Sequence, residues 1–118
     1  MENDQYRVIN GCIQILCHIS LLNDVNIIED YVQRGLINYI SEFISCLDLF
    51  GKRIVINCLI NLTNIGLINN IDYLQSDIFD NHDLMDLIES LQTSDNETLC
   101  ELSKILYNSY STYIDMTK

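Results

Sequence analysis

The chain has no proline, no tryptophan and no alanine, and only four glycines in 118 residues. So few turn-forming residues argue against an all-β protein with many tight turns, and against a glycine-rich phosphate loop. Cations are scarce as well: six Lys and Arg stand against 17 Asp and Glu, a net charge of −11. Coulomb repulsion then opposes bare DNA and anionic membranes as partners, although an isolated basic patch could still touch RNA inside a larger assembly. No apolar run approaches the roughly 20 residues a membrane span needs, because Gln14, His18 and scattered asparagines interrupt each candidate. The opening residues, Met1-Glu2-Asn3-Asp4-Gln5, are not a basic stretch leading into an apolar one, so no secretory signal is expected.

What is present points to helices. Hydrophobic residues make up 48% of the chain and mean hydropathy is +0.12, too apolar for disorder despite the acidity. A chain of this length buries on the order of two-thirds of its unfolded surface, enough for one modest core. A single domain over residues 1–118 is expected. Ile (19), Leu (16) and Asn (13) fill 48 positions. With alanine missing, we read this surplus as the mark of an AT-biased genome, of the kind a compact parasite or virus carries, and not as mechanism. Five cysteines, Cys12, Cys17, Cys46, Cys58 and Cys100, lie in apolar stretches with no C-x-x-C pair. They read as buried thiols in a reducing compartment, and a cytoplasmic or nuclear protein is the expectation. The sequons Asn61-Leu62-Thr63 and Asn96-Glu97-Thr98 are then chance matches.

Helical periodicity recurs in blocks. Over Tyr6 to Leu22, apolar residues spread round most of the circumference and leave Asn10, Gln14 and His18 aligned at i, i+4 and i+8. A second block opens after the capping pair Asn23-Asp24 and runs to a stop at Arg34-Gly35. A third runs from Leu36 to Leu47 and ends near Gly51, with Gly35 supplying the positive φ that lets two helices meet in a sharp corner. The fourth, about Lys52 to Gly66, is apolar apart from a stripe of Asn57, Asn61 and Asn64. Beyond it we expect a short helix from Ile68 to Leu74, an acidic turn from Asp77 to Asn81, and a helix from His82 to Leu91. A capping box at Ser94-Asp95-Asn96-Glu97 starts the last helix, with Leu99, Leu102, Ile105 and Leu106 inward.

Superposing the three long helices on their polar stripes pairs Gln14/His18 with Asn57/Asn61 and Lys104/Asn108. The spacings are 43 residues from His18 to Asn61 and 47 from Asn61 to Asn108. A period in the forties, with three helices per unit and the first one short, is expected of armadillo and HEAT solenoids. The segment from Asn26 to Ile40 resembles the junction of first and second helices in the armadillo-repeat family. Ile56 to Thr63 resembles its third helix, and Leu84 to Glu97 its second helix and turn. The resemblance implies an all-α, short right-handed α-solenoid of about three repeats: a partial one over residues 6–22, a second over 24–66 and a third over 68–113. A generic antiparallel bundle is the alternative, but it does not require the Gly35 corner or a repeating order of helix lengths.

In armadillo proteins the third helices line a concave groove that holds an extended partner segment. An Asn there bonds the partner's backbone, and a Trp one turn earlier packs between its side chains. By this resemblance the Asn role falls on Asn61 and Asn108, and on the substituted His18. The Trp role falls on Gln14, Asn57 and Lys104, none of which is Trp. That departure speaks against importin-like recognition of basic localisation signals. The candidate partner-binding residues are thus Gln14, His18, Asn57, Asn61, Asn64, Lys104 and Asn108. Amide side chains both donate and accept, so a row of them can satisfy an extended peptide's backbone whatever its sequence. The same asparagines also fit a plain solvated helix edge.

Site chemistry is otherwise thin. Asp77, Asp80, His82, Asp83, Asp86 and Glu89 cluster, with His82 and Asp86 one helical turn apart, but the ligand order and glycine of an EF-hand loop are missing. Capping by Asp80 or Asn81 and a solvated acidic face account for them. Cys17 and His18 point about 100° apart on a helix, so a thiolate site is not expected there. No nucleophile, base and orienting acid can be recognised, and no catalytic residue, cofactor, metal or small-molecule substrate is expected. Lys52-Arg53 is the one adjacent basic pair. It opens a helix, where the dipole disfavours cations, which indicates either a partner acid or phosphate, or simple exposure. Tyr107, Tyr110 and Tyr113 form either a cap on the preceding helices or a docking patch. The expected function is a non-catalytic adaptor or scaffold that binds an extended segment or surface of a protein partner. The alternative is a small accessory subunit docked on a large assembly such as a ribosome, proteasome or chaperone complex.

Overall fold

The computed structural model of the protein describes Gly11, His18 and residues 24–117. Its helices are α1 (Val25–Gln33), α2 (Leu36–Phe43), α3 (Leu49–Ile68), α4 (Asp72–Phe79), α5 (His82–Leu91) and α6 (Glu97–Thr117), with a 3₁₀ turn at Ile44–Cys46. No strand occurs among the described residues. The helical block expected over Tyr6 to Leu22, and with it Gln14, lies outside the described residues apart from Gly11 and His18, both of which are helical.

Local chemistry sets the helix ends. Asp24 caps α1, its carboxylate accepting the Ile27 N–H at 3.3 Å, and Gly35 breaks it with φ +101°, the left-handed conformation in which a side chain is strained. Asp48 caps α3 by accepting the Gly51 N–H at 2.7 Å. This cap corrects the sequence expectation: the third block ends at the 3₁₀ turn, and Gly51 lies inside the first turn of α3 instead of ending the helix before it. The expected Ile68–Leu74 helix is also displaced. Asn70 takes φ +57° and closes a turn between α3 and α4, so Asp77 to Phe79 are helical and only Asp80-Asn81 form the turn. Asn81 caps α5 through the Leu84 N–H at 3.1 Å. The start of α6 is capped by Asn96, which accepts the Leu99 N–H at 3.0 Å. Ser94 instead accepts the N–H of Asn96 at 3.1 Å.

The long helix α3 is the centre of packing, touching α6, α4 and the 3₁₀ turn, while α5 lies on α6 and α1 on α2. Val55, Ile56, Leu59 and Leu62 of α3 meet Ile40, Ile44, Leu74, Ile78, Ile88, Leu99 and Leu106 in one continuous core. Burying each such side chain is worth about 1.5–3 kcal/mol relative to exposure. Gly66 allows the close approach of α3 and α4: a Cβ there would meet Ile71 O and Leu74 Cβ at 3.1 Å each. Thr63, buried in α3, satisfies its hydroxyl on Leu59 O at 2.9 Å, the back-bond open to a mid-helix threonine. Two successive helix triplets result, with lengths of 9, 8 and 20 residues and then 8, 10 and 21.

Candidate functional site

The N-terminal turns of α3 and α6 lie side by side. Phe50, Arg53, Ile54 and Asn57 of α3, with Thr98 and Leu102 of α6, line a groove of about 230 Å³. Phe50 and Thr98, each the second residue of its helix, line it together, so the two N-termini sit at the same end. Phe50 is 57% exposed. Its α3 neighbours follow at helical spacing: Phe50, Arg53, Asn57, Asn61 and Asn64 stand at i, i+3, i+7, i+11 and i+14, on one face. Asn57 and Asn64 are exposed and Asn61 is half-buried; of the three only Asn57 lines the groove.

The other residues singled out from sequence fall elsewhere. Lys104 and Asn108 are exposed on α6 but do not line this groove. Counting from Leu102, they stand about 160° and 120° away round the helix. Ile105, expected inward, is 51% exposed. His18 is exposed and helical. Arg53 belongs to the Lys52-Arg53 pair for which the sequence offers a partner acid or phosphate, or simple exposure, whereas Phe50, Thr98 and Leu102 are not among the residues expected to bind. The i, i+3, i+7 spacing of Phe50, Arg53 and Asn57 is the sequence signal that joins Phe50 to Arg53 and Asn57, whereas Thr98 and Leu102 join only through tertiary packing.

A second concavity, an open cleft of about 800 Å³, is lined by Asn38, Ser41 and Glu42 of α2 and by Ser76, Asp77, Asp80, Asn81, His82 and Asp83 around the α4–α5 corner. Ser41 donates to the Asn81 side-chain oxygen at 3.2 Å across it, tying the first triplet to the second. Partial desolvation, then the charge of Asp80, push the Asp77 carboxyl above its ordinary pKa. Among the described residues, no three His, Cys, Asp or Glu side chains converge as a metal site would require.

The tyrosines of α6 act as a cap. Phe79 stacks on Tyr110 and Tyr113 with ring centroids 5.7 and 5.1 Å apart, Tyr107 meets Tyr110 at 5.5 Å, and all three tyrosines are half-buried. Such tilted pairs are worth about 0.5–1.5 kcal/mol beyond area burial. Tyr113 also donates to Asp80 at 3.4 Å; burial first, then that carboxylate, raise its pKa. Of the cysteines expected to be buried, Cys58 is, in the core, Cys100 is half-buried and donates to Gln92 O at 2.9 Å, and Cys46, just before the break that precedes α3, is instead exposed.

No protein-family model, curated protein or solved structure matches the chain. Among the described residues, no helix is long and apolar enough to cross a membrane.

Proposed function

We propose that the protein is a non-catalytic protein–protein interaction module, an armadillo-like helical array whose α3–α6 groove receives an extended segment of a protein partner. The observation that carries this reading is the groove itself, in which exposed Phe50 and the Asn57 amide stand together between two long helices. Apolar surface beside an amide suits an extended chain, whose side chains need apolar cover and whose backbone needs donors and acceptors. The two triplets with short, short and long helices support the array. The free exposed thiol of Cys46 suits the reducing environment of cytoplasm or nucleus.

Docking on a large assembly is the second reading. It is favoured by Leu67 and Ile68 at the end of α3, 54% and 79% exposed, apolar surface that a rigid partner would cover. Affinity isolation from native cells with the wild type and with a Phe50→Ser/Asn57→Ala variant, both residues being exposed in the groove lining, tests the groove. A partner captured by the wild type and lost by the folded variant supports it. An unchanged partner set removes the groove from the account and leaves the α3 end as the docking surface.

A further inference from the structure

Arg53 is the one cation in the groove lining, and its charge is unanswered. Among the described residues one ion pair forms, Arg34 with Asp30 at 3.1 Å, although acids outnumber Lys and Arg by 17 to six. Glu101 immediately precedes the groove residue Leu102, yet it makes no ion pair with Arg53. Arg53 is the fifth residue of α3, just past the first turn, where the helix dipole offers it no counter-charge. Lys52 adjoins it, and no further Lys or Arg occurs until Lys104. Asp48 at the start of α3 and Glu97 at the start of α6 are acids at the same helix ends, but neither pairs with Arg53, so the groove lining itself offers one guanidinium, and beside it sit the apolar side chains of Phe50, Ile54 and Leu102.

Resting on the groove reading above, we infer that the occupant is an extended peptide segment of a protein partner carrying a carboxylate side chain two residues from an aliphatic or aromatic one. The spacing follows from geometry. Arg53 and Asn57 are four residues apart on α3, a rise of about 6 Å, and alternate residues of an extended chain are about 6.6 Å apart and face the same way. A carboxylate at position i meets the planar guanidinium, which favours a two-pronged hydrogen bond to it. The apolar residue at i+2 then stands level with Asn57, one turn on from Arg53, where Leu102 forms the facing apolar wall of the groove, and the Asn57 amide reaches the peptide backbone alongside.

The test uses the whole 118-residue chain and three fluorescein-labelled 12-residue Gly/Ser-based probe peptides, containing Glu-x-Leu, Lys-x-Leu or Glu-x-Ser, read by polarisation. The Glu-x-Leu probe is expected to bind at least tenfold more tightly than either other. Arg53→Glu should reverse the order of the Glu and Lys probes, and Arg53→Lys should keep part of the preference. Arg53 is exposed, so neither substitution threatens the fold, which circular dichroism checks. Equal or tighter binding of the Lys probe to the wild type, or an unaltered order in Arg53→Glu, overturns the acidic partner while leaving the groove standing. Absence of binding by every probe overturns both.

Discussion

Helices α3 and α6 are nearly equal in length, 20 and 21 residues, but they bury very different arcs. The buried residues of α3 run from Gly51 through Val55, Ile56, Cys58, Leu59, Leu62 and Thr63 to Gly66, an arc of about 160°. On α6, among the residues whose side chains are described, only Leu99, Ser103 and Leu106 are fully buried, an arc of about 60°. A helix with neighbours on two flanks needs the wide arc; one at the edge needs a stripe, and α6 closes its far end with tyrosines stacked on Phe79. The corners of the two triplets differ too. The first turns through Gly35 at φ +101°, whereas the second turns at Asp80-Asn81 without a left-handed residue and relies on the Asn81 cap.

The largest expected effect lies in the wide arc. Leu59 is fully buried at its middle, so Leu59→Ala should lower stability by about 2–5 kcal/mol. Chemical denaturation should show both triplets lost in one transition; a separate transition for α6 would show that the two long helices do not share a core. Next comes the first corner. Gly35 has open space around its Cβ position but a left-handed φ, so Gly35→Ala should cost about 1–2 kcal/mol from backbone strain alone. An unchanged melting temperature would mean the corner is not held in that conformation.

The second corner should be more modest. Asn81→Ala removes the α5 cap and the Ser41 bond together, at about 1 kcal/mol, and Ser41→Ala should recover part of that loss in a double-mutant cycle. Strict additivity would show that the two corners are energetically separate. Smallest is the charge at Asp77. Its folded carboxyl holds a proton more tightly than the unfolded one, so the stability tied to it is fully present below the ordinary value of 3.8 and lost as pH rises through the raised one. Asp77→Asn should therefore melt slightly above wild type at neutral pH, by a fraction of a kcal/mol after solvent screening, and the gap should close near pH 3–4. A gap independent of pH would assign it to packing.

Much of the helical pattern was legible because caps and periodicity agree. Asp24 and Gly35 bound α1, and Asn81 starts α5. The misplaced boundaries have a common cause. Leu47, Leu49 and Phe50 continue an apolar run across the break before α3, with Asp48 as its single polar signal. Ile68, Ile71 and Leu74 keep a helical spacing across a turn that Asn70 makes. In both places an Asx residue does what glycine or proline does in other chains, and in a chain with 13 asparagines one more carries little local signal. The groove was half legible: the α3 face shows its spacing, whereas its α6 wall depends on how the two helices pack.

The place where a peptide binds decides most directly whether the α3–α6 groove is the docking site. Backbone amide shifts of the labelled full-length chain, followed by NMR during titration with the Glu-x-Leu probe, would map it. The expected result is a set of shifts concentrated at residues 50–61 and 98–102. Shifts centred on residues 72–89, at the acidic cleft, would contradict it.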